Sequence, residues 1–146
     1  MLGFLVLLGG LWTAPACEPG VCSCVGAGDA PSGLASSDAV FTARVLSVRD
    51  TVVGRGSEYG PRQMRRVTLR VDRAWKGVGS RTVVVVTGMG GGDCGFPFRR
   101  GKSYLVYAHG TGDGSLSAGI CGRTAELARA AADLRALGEP ARHWRR

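Results

Sequence analysis

Cys22-Ser23-Cys24, with Val25 and Gly26 behind it, is the stretch whose reading decides the fold. In an extended segment, residues two apart project to the same side, so the two thiols face one way and can reach two different partners. They are too close in sequence to bridge each other without strain. Downstream stand only Cys94 and Cys121, each in a glycine-flanked turn beside a strand-like run. The segment therefore reads as an extended lace, tied once to the loop of Cys94 and once to the strand end at Cys121.

Working outward towards the start, Met1 to Trp12 is almost wholly apolar and Thr13-Ala14-Pro15-Ala16 follows it, with small residues where a signal peptidase inspects the chain. Residues 1–16 are read as an export signal, although no Lys or Arg precedes Arg44. The apolar run is short for a membrane span. Export into an extracellular or periplasmic setting favours bridges over free thiols. Four of the five cysteines then pair and leave Cys17. That residue directly follows Ala16. It reads either as a lipid-anchored N-terminus, the one route to a membrane contact, or as an unpaired or intermolecular thiol.

The chain has 146 residues, room for one domain and a modest core, and a formal net charge of +8. Arginines dominate that charge, among them Arg62, Arg65, Arg66, Arg70 and Arg73, and the tail Arg142-His143-Trp144-Arg145-Arg146. Such a balance attracts anions, and its plainest reading is a solvated basic face. Nucleic acid is not an expected partner for an exported, disulfide-tied chain.

Beyond the lace, Gly26 to Ser37 reads as a loop with room for one short helical turn. Ala39 to Val48 alternates, Phe41, Ala43 and Val45 on one side against Thr42 and Arg44, and predicts a strand. Arg49 to Pro61 is read as a mobile connector. Gln63 to Trp75 alternates again, Val67, Leu69 and Val71 inward, and so long a strand calls for a bulge. Arg81 to Thr87, with four consecutive valines, predicts a strand covered on both sides. Gly88 to Gly92 reads as a flexible loop. Ser103 to Ala108 and Leu116 to Ile120 complete five strands, separated by a turn at Gly110 to Gly114. Then the period changes. Thr124 is placed to cap a helix with Leu127, Ala130, Ala131, Leu134 and Leu137 on its apolar face and Arg129, Asp133 and Arg135 outside, ended by Gly138 and Pro140. The expected fold is all-β with a C-terminal helix, a five-stranded Greek-key barrel of the OB type over residues 17–138, with 139–146 a disordered basic tail.

Read in order, Cys22-Ser23-Cys24, Asp38-Ala39-Val40-Phe41, Trp75-Lys76-Gly77, Cys94-Gly95-Phe96, Gly101 with Tyr104-Leu105-Val106, and Cys121 before the helix form a set. That set resembles the netrin-like domain of the tissue inhibitors of metalloproteinases and its bacterial relatives. The resemblance implies an OB-type barrel and bridges Cys22–Cys94 and Cys24–Cys121, one of three pairings open to four thiols. It also implies inhibition of a zinc metalloendopeptidase. In that mechanism the amine and carbonyl of Cys22, as mature N-terminus, would chelate the protease zinc. Ser23 would cover the specificity pocket, flanked by Cys24, Val25 and the loop residues Gly92, Asp93 and Cys94. An amine lone pair can enter an open zinc position, whereas an amide nitrogen's is delocalised. Cleavage after Ala16 would leave Cys17-Glu18-Pro19-Gly20-Val21 ahead of Cys22, so a non-inhibitory envelope or adhesion module, anchored through Cys17, is the alternative.

Other chemistry finds little footing. Gly101-Lys102-Ser103 has Phe96 where a phosphate-binding loop needs glycine. His109 and His143, the two histidines, stand by no recognisable nucleophile or acid. The reading is a monomeric, non-enzymatic module with a protein partner, no cofactor and no metal of its own.

Overall fold

The computed structural model describes residues 22–56 and 58–144. The expected export signal and Cys17 lie outside the described residues. Two long strands, β1 (Ala39–Val53) and β2 (Arg62–Lys76), are followed by β3 (Thr82–Thr87), β4 (Ser103–Gly110) and three two-residue strands, β5 (Leu116–Ser117), β6 (Ala125–Glu126) and β7 (Arg142–His143). Two short helices, α1 (Ala30–Ser36) and α2 (Ala131–Leu137), complete the fold. The sheet runs β1-β2-β3-β5-β4, and β4 pairs back with β1, so five strands close a ring; β6 lies against β4 and β7 against β2. All contacts are antiparallel except β3 with β5.

Alternation decides what fills the ring. Phe41, Val45, Val67, Leu69, Val71, Val85 and Val106 are each no more than 1% exposed and form one core, joined by Phe98 and Tyr104. Phe96 and Phe98 each meet Tyr104 edge to face, with Phe96 and Tyr104 centroids 5.6 Å apart. A second cluster lies outside the ring, where Val40, Leu105 and Tyr107 receive Leu34 of α1 and Leu134 and Leu137 of α2. The helices thus cover a part of the sheet whose outward residues are apolar.

Several expectations change. β1 runs to Val53 and pairs with β2 as far as Arg62, so much of the supposed connector is a hairpin arm. The expected irregularity falls in this pair, with register shifts between Val40 and Phe41, Thr42 and Ala43, and Val45 and Ser47. The fifth strand shortens to Leu116–Ser117, followed by a single bridge from Gly119 to Gly95. The C-terminal helix starts at Ala131, after a 3-10 turn at Leu127–Arg129. Thr124 caps nothing: its hydroxyl accepts from the Tyr107 amide at 3.0 Å and donates to the Tyr107 carbonyl at 3.2 Å, satisfying both groups of a buried residue. The tail is ordered through Trp144, since Arg142 and His143 pair with Ala74 and Arg73 and the Trp144 amide donates to the Asp72 carbonyl.

Trp75-Lys76-Gly77 has a structural role in each residue. Trp75 donates its indole N–H to the Gly138 carbonyl at 2.9 Å, just past the end of α2. Lys76 donates its ammonium to the Leu34 and Ala35 carbonyls at 3.1 Å, in the last turn of α1, where orphan acceptors and the helix dipole favour a cation. At Gly77, φ is +68°, and a Cβ would stand 1.9 Å from the Asp38 carbonyl oxygen. Only glycine fits there.

Candidate functional site

The lace, Cys22 to Asp29, has no regular structure, and every residue from Ser23 to Asp29 is exposed. It is nevertheless held at three points. Cys22 is bridged to Cys94 and Cys24 to Cys121, each with Cα atoms 5.1 Å apart. This is the pairing the resemblance implied. The third hold is Arg123, which donates to the Gly28 carbonyl and grips Asp133 with Nε at 2.8 Å and Nη2 at 2.5 Å. Tyr107 donates its hydroxyl to the same carboxylate at 3.0 Å. Asp133, expected outside, is therefore at the centre of a knot joining lace, β4 and α2.

The electrostatics of the knot follow from that geometry. Hydrogen bonds from Arg123 hold the Asp133 carboxyl below its ordinary 3.8, against burial and with help from Tyr107. Burial, reinforced by Asp133, pushes the Tyr107 phenol above its ordinary value. Below the lace is a hollow of about 240 Å³, bordered by Val25, Gly26, Ser37, His109 and Arg123.

Directly after the lace, Asp29 caps α1 by accepting from the Ser32 amide at 2.8 Å, with Pro31 in the first turn. That hydrogen bonding lowers the Asp29 carboxyl below its ordinary value. Gly33 faces the Tyr107 ring so closely that a Cβ would stand 3.0 Å from it. The cap thus fixes where the lace enters α1.

The loop carrying Cys94 is organised by Asp93. Its carboxylate accepts from the amides of Met89 at 2.6 Å, Gly90 at 2.9 Å and Gly95 at 3.0 Å. The Met89 amide is the main cause of a carboxyl held below its ordinary 3.8. A Cβ on Gly88 would meet that carboxylate at 2.4 Å, and one on Gly95 would meet the Gly88 backbone at 2.3 Å. Cys94 itself sits in the left-handed region at φ +58°, unusual for a residue with a side chain. Its carbonyl accepts from the Ile120 amide at 2.9 Å, so this loop and the Cys121 turn are directly joined. The loop read as flexible is a braced one.

Cys22 is thus bonded to Cys94 and Cys24 to Cys121, with Ser23 between them and Val25 over the hollow beside Cys121, while Asp93 is spent on bracing and Gly92 is exposed. The two bridges also touch: the Cys121 sulfur lies 3.6 Å from that of Cys22 and 3.7 Å from that of Cys94. Among the described residues, Cys22, Cys94 and Cys121 are the one cluster with metal-binding side chains in range, and as half-cystines they have no thiolate to donate. His109 stands 4.0 Å from Asp38, both more than half exposed. No described helix is long and apolar enough to cross a membrane.

The knot residues Arg123, Asp133 and Tyr107 were not singled out from the sequence as a group. They are far apart along the chain, and nothing in local period or composition joins them. Compared with known proteins, the chain matches no family model and no curated protein.

Proposed function

We propose that this chain is an exported, netrin-like protein-binding module, a Greek-key barrel of the OB type, that inhibits a zinc metalloendopeptidase through its bridged N-terminal segment. The observation carrying this reading is an exposed backbone that is also immobilised. Ser23 to Gly28 face solvent, Val25 at 91% exposure, while bridges fix Cys22 and Cys24 and Arg123 holds Gly28. A segment ordered in advance loses less entropy when it docks, and so binds more tightly for the same contacts. Ser23 and Val25 are exposed on either side of the bridged Cys24, and Gly92 is exposed two residues before Cys94, the partner of Cys22. In this reading the protein binds and does not catalyse, acts as a monomer, and takes no cofactor.

The chemistry requires a free amine on Cys22, so that nitrogen and carbonyl oxygen together can enter a protease zinc's open position. A second reading rests on Cys17 to Val21, which precede Cys22 in the sequence. While they remain, that nitrogen is an amide. The ridge would then serve an envelope or adhesion contact, with Cys17 as lipid anchor.

Mass spectrometry of the mature protein, followed by titration against zinc endopeptidases, separates the two. A free Cys22 terminus with slowed proteolysis supports inhibition. An acylated Cys17 with no slowing supports the anchored module. A free Cys22 terminus and no slowing at about micromolar protein would remove the inhibitor reading.

A further inference from the structure

The outward face of the β1–β2 arm carries a ladder of arginines. Val45, Val67, Leu69 and Val71 point into the core, so the residues alternating with them point away from it. On that outward side Arg44 lies opposite Arg70, Ser47 opposite Thr68, Arg49 opposite Arg66, Thr51 opposite Met64, and Val53 opposite Arg62. Every charged side chain in these rows is an arginine. Asp50 pairs with Arg65 on the other face of the arm.

These cations are uncompensated. None of Arg44, Arg49, Arg62, Arg66 and Arg70 takes part in an ion pair among the described residues. The Nε of Arg70 is shielded from solvent and has no acceptor. Like charges directly opposite on neighbouring strands destabilise a sheet, and here two such pairs stand in register. Asp113 borders the ladder, on the wall of a depression of about 460 Å³ that it shares with Arg66, Thr82 and Val84, and Asp72 follows Arg70 by two residues on β2. Asp113 accepts from Thr111 and Ser115, and those hydrogen bonds hold its carboxyl far below the ordinary range.

We propose that this face is a docking strip for a linear acidic polysaccharide, whose sulfate or carboxylate groups are taken by the paired guanidinium rungs. Arg70, Arg66 and Arg62 repeat every four residues, about 13 Å apart at the rise of a strand, so a chain lying along the arm meets cations at a regular interval. Guanidinium presents a planar fork that matches such oxyanions bidentately. No aromatic stands between the rungs, which leaves single-stranded nucleic acid without a stacking platform. Leu46 and Tyr59, the exposed large apolar side chains of this hairpin, lie towards opposite ends of the strip and form no patch for a bilayer. The proposal is independent of the protease reading, because it uses neither the lace nor a free Cys22.

Heparin is the probe, with the whole mature protein and binding measured against salt. Binding is expected at about 150 mM salt, weakening steeply as salt rises. Arg66→Gln/Arg70→Gln should lower affinity about tenfold and flatten the salt dependence. Arg129→Gln/Arg135→Gln removes equal charge from the helical end and should change affinity less than about twofold. Should the first variant not fold, Arg44→Gln/Arg49→Gln removes the facing halves of the same rungs and is expected to act alike. Equal losses from the ladder and helical variants would overturn the proposal, as would no heparin binding, or tighter binding to single-stranded DNA or to anionic phospholipid vesicles.

Discussion

Removing the Asp133 carboxylate would strand two groups at once, the Arg123 guanidinium and the Tyr107 hydroxyl. The Asp133 and Arg123 side chains are 14% and 25% exposed, so this is a largely desolvated pair rather than a surface ion pair. Asp133→Ala is expected to cost about 2–3 kcal/mol in denaturant melts, with exchange of the Ser32 and Gly33 amides, bonded to Asp29, speeding up as Arg123 loses its anchor. The pH dependence has a definite sign. The folded carboxyl lies below its ordinary 3.8, so the unfolded chain takes up the proton first. The stabilisation is complete above the unfolded value and fades as pH falls through the folded one. The wild type should lose stability on acidification below about pH 4, and the Asp133→Ala variant should lose less over the same window.

At the scale of elements, the loop from Gly88 to Gly95 depends on a side chain rather than on strand pairing. Asp93→Ala removes the acceptor for three amides, those of Met89, Gly90 and Gly95. Hydrogen exchange at those amides should accelerate by about tenfold or more, while β1 and β2 remain protected. Unchanged exchange would mean that the Cys22–Cys94 bridge alone shapes the loop. The same loop shows why sequence reading stopped where it did. Gly88 to Gly92 looks like a hinge by composition, and only the distances from Asp93 to those amides reveal the brace. Strands read more easily, because Phe41 to Val45 and Val67 to Val71 alternate towards a common core. The arm beyond Val48 has no such core to face, so its residues carry no inward signal even though they pair through Val53.

For the whole molecule, the two bridges span 72 and 97 residues. Closing loops of that length removes chain entropy worth about 4 kcal/mol each in the unfolded state, not fully additive because the loops overlap. Reduction with a dithiol should lower the melting temperature by roughly 10 °C or more. It should also expose the lace to proteases before the strand ring opens, since the ring is held by its own pairing and core. A reduced protein with an unchanged melting temperature would show that the bridges only position the lace.

The sequence by itself determined the β character, the inward rows of the long strands and the presence of a terminal helix, because each of these is written in a local period of two or near four residues. Spacing alone also showed that Cys22 and Cys24 need separate partners. Tertiary structure decided what the lace rests on. Arg123, Asp133 and Tyr107 meet across three elements, Lys76 reaches the end of α1, and Arg142–His143 find an open edge of β2. Such contacts depend on where distant backbone segments come together, and a chain read in order carries no signal of that until its core has closed.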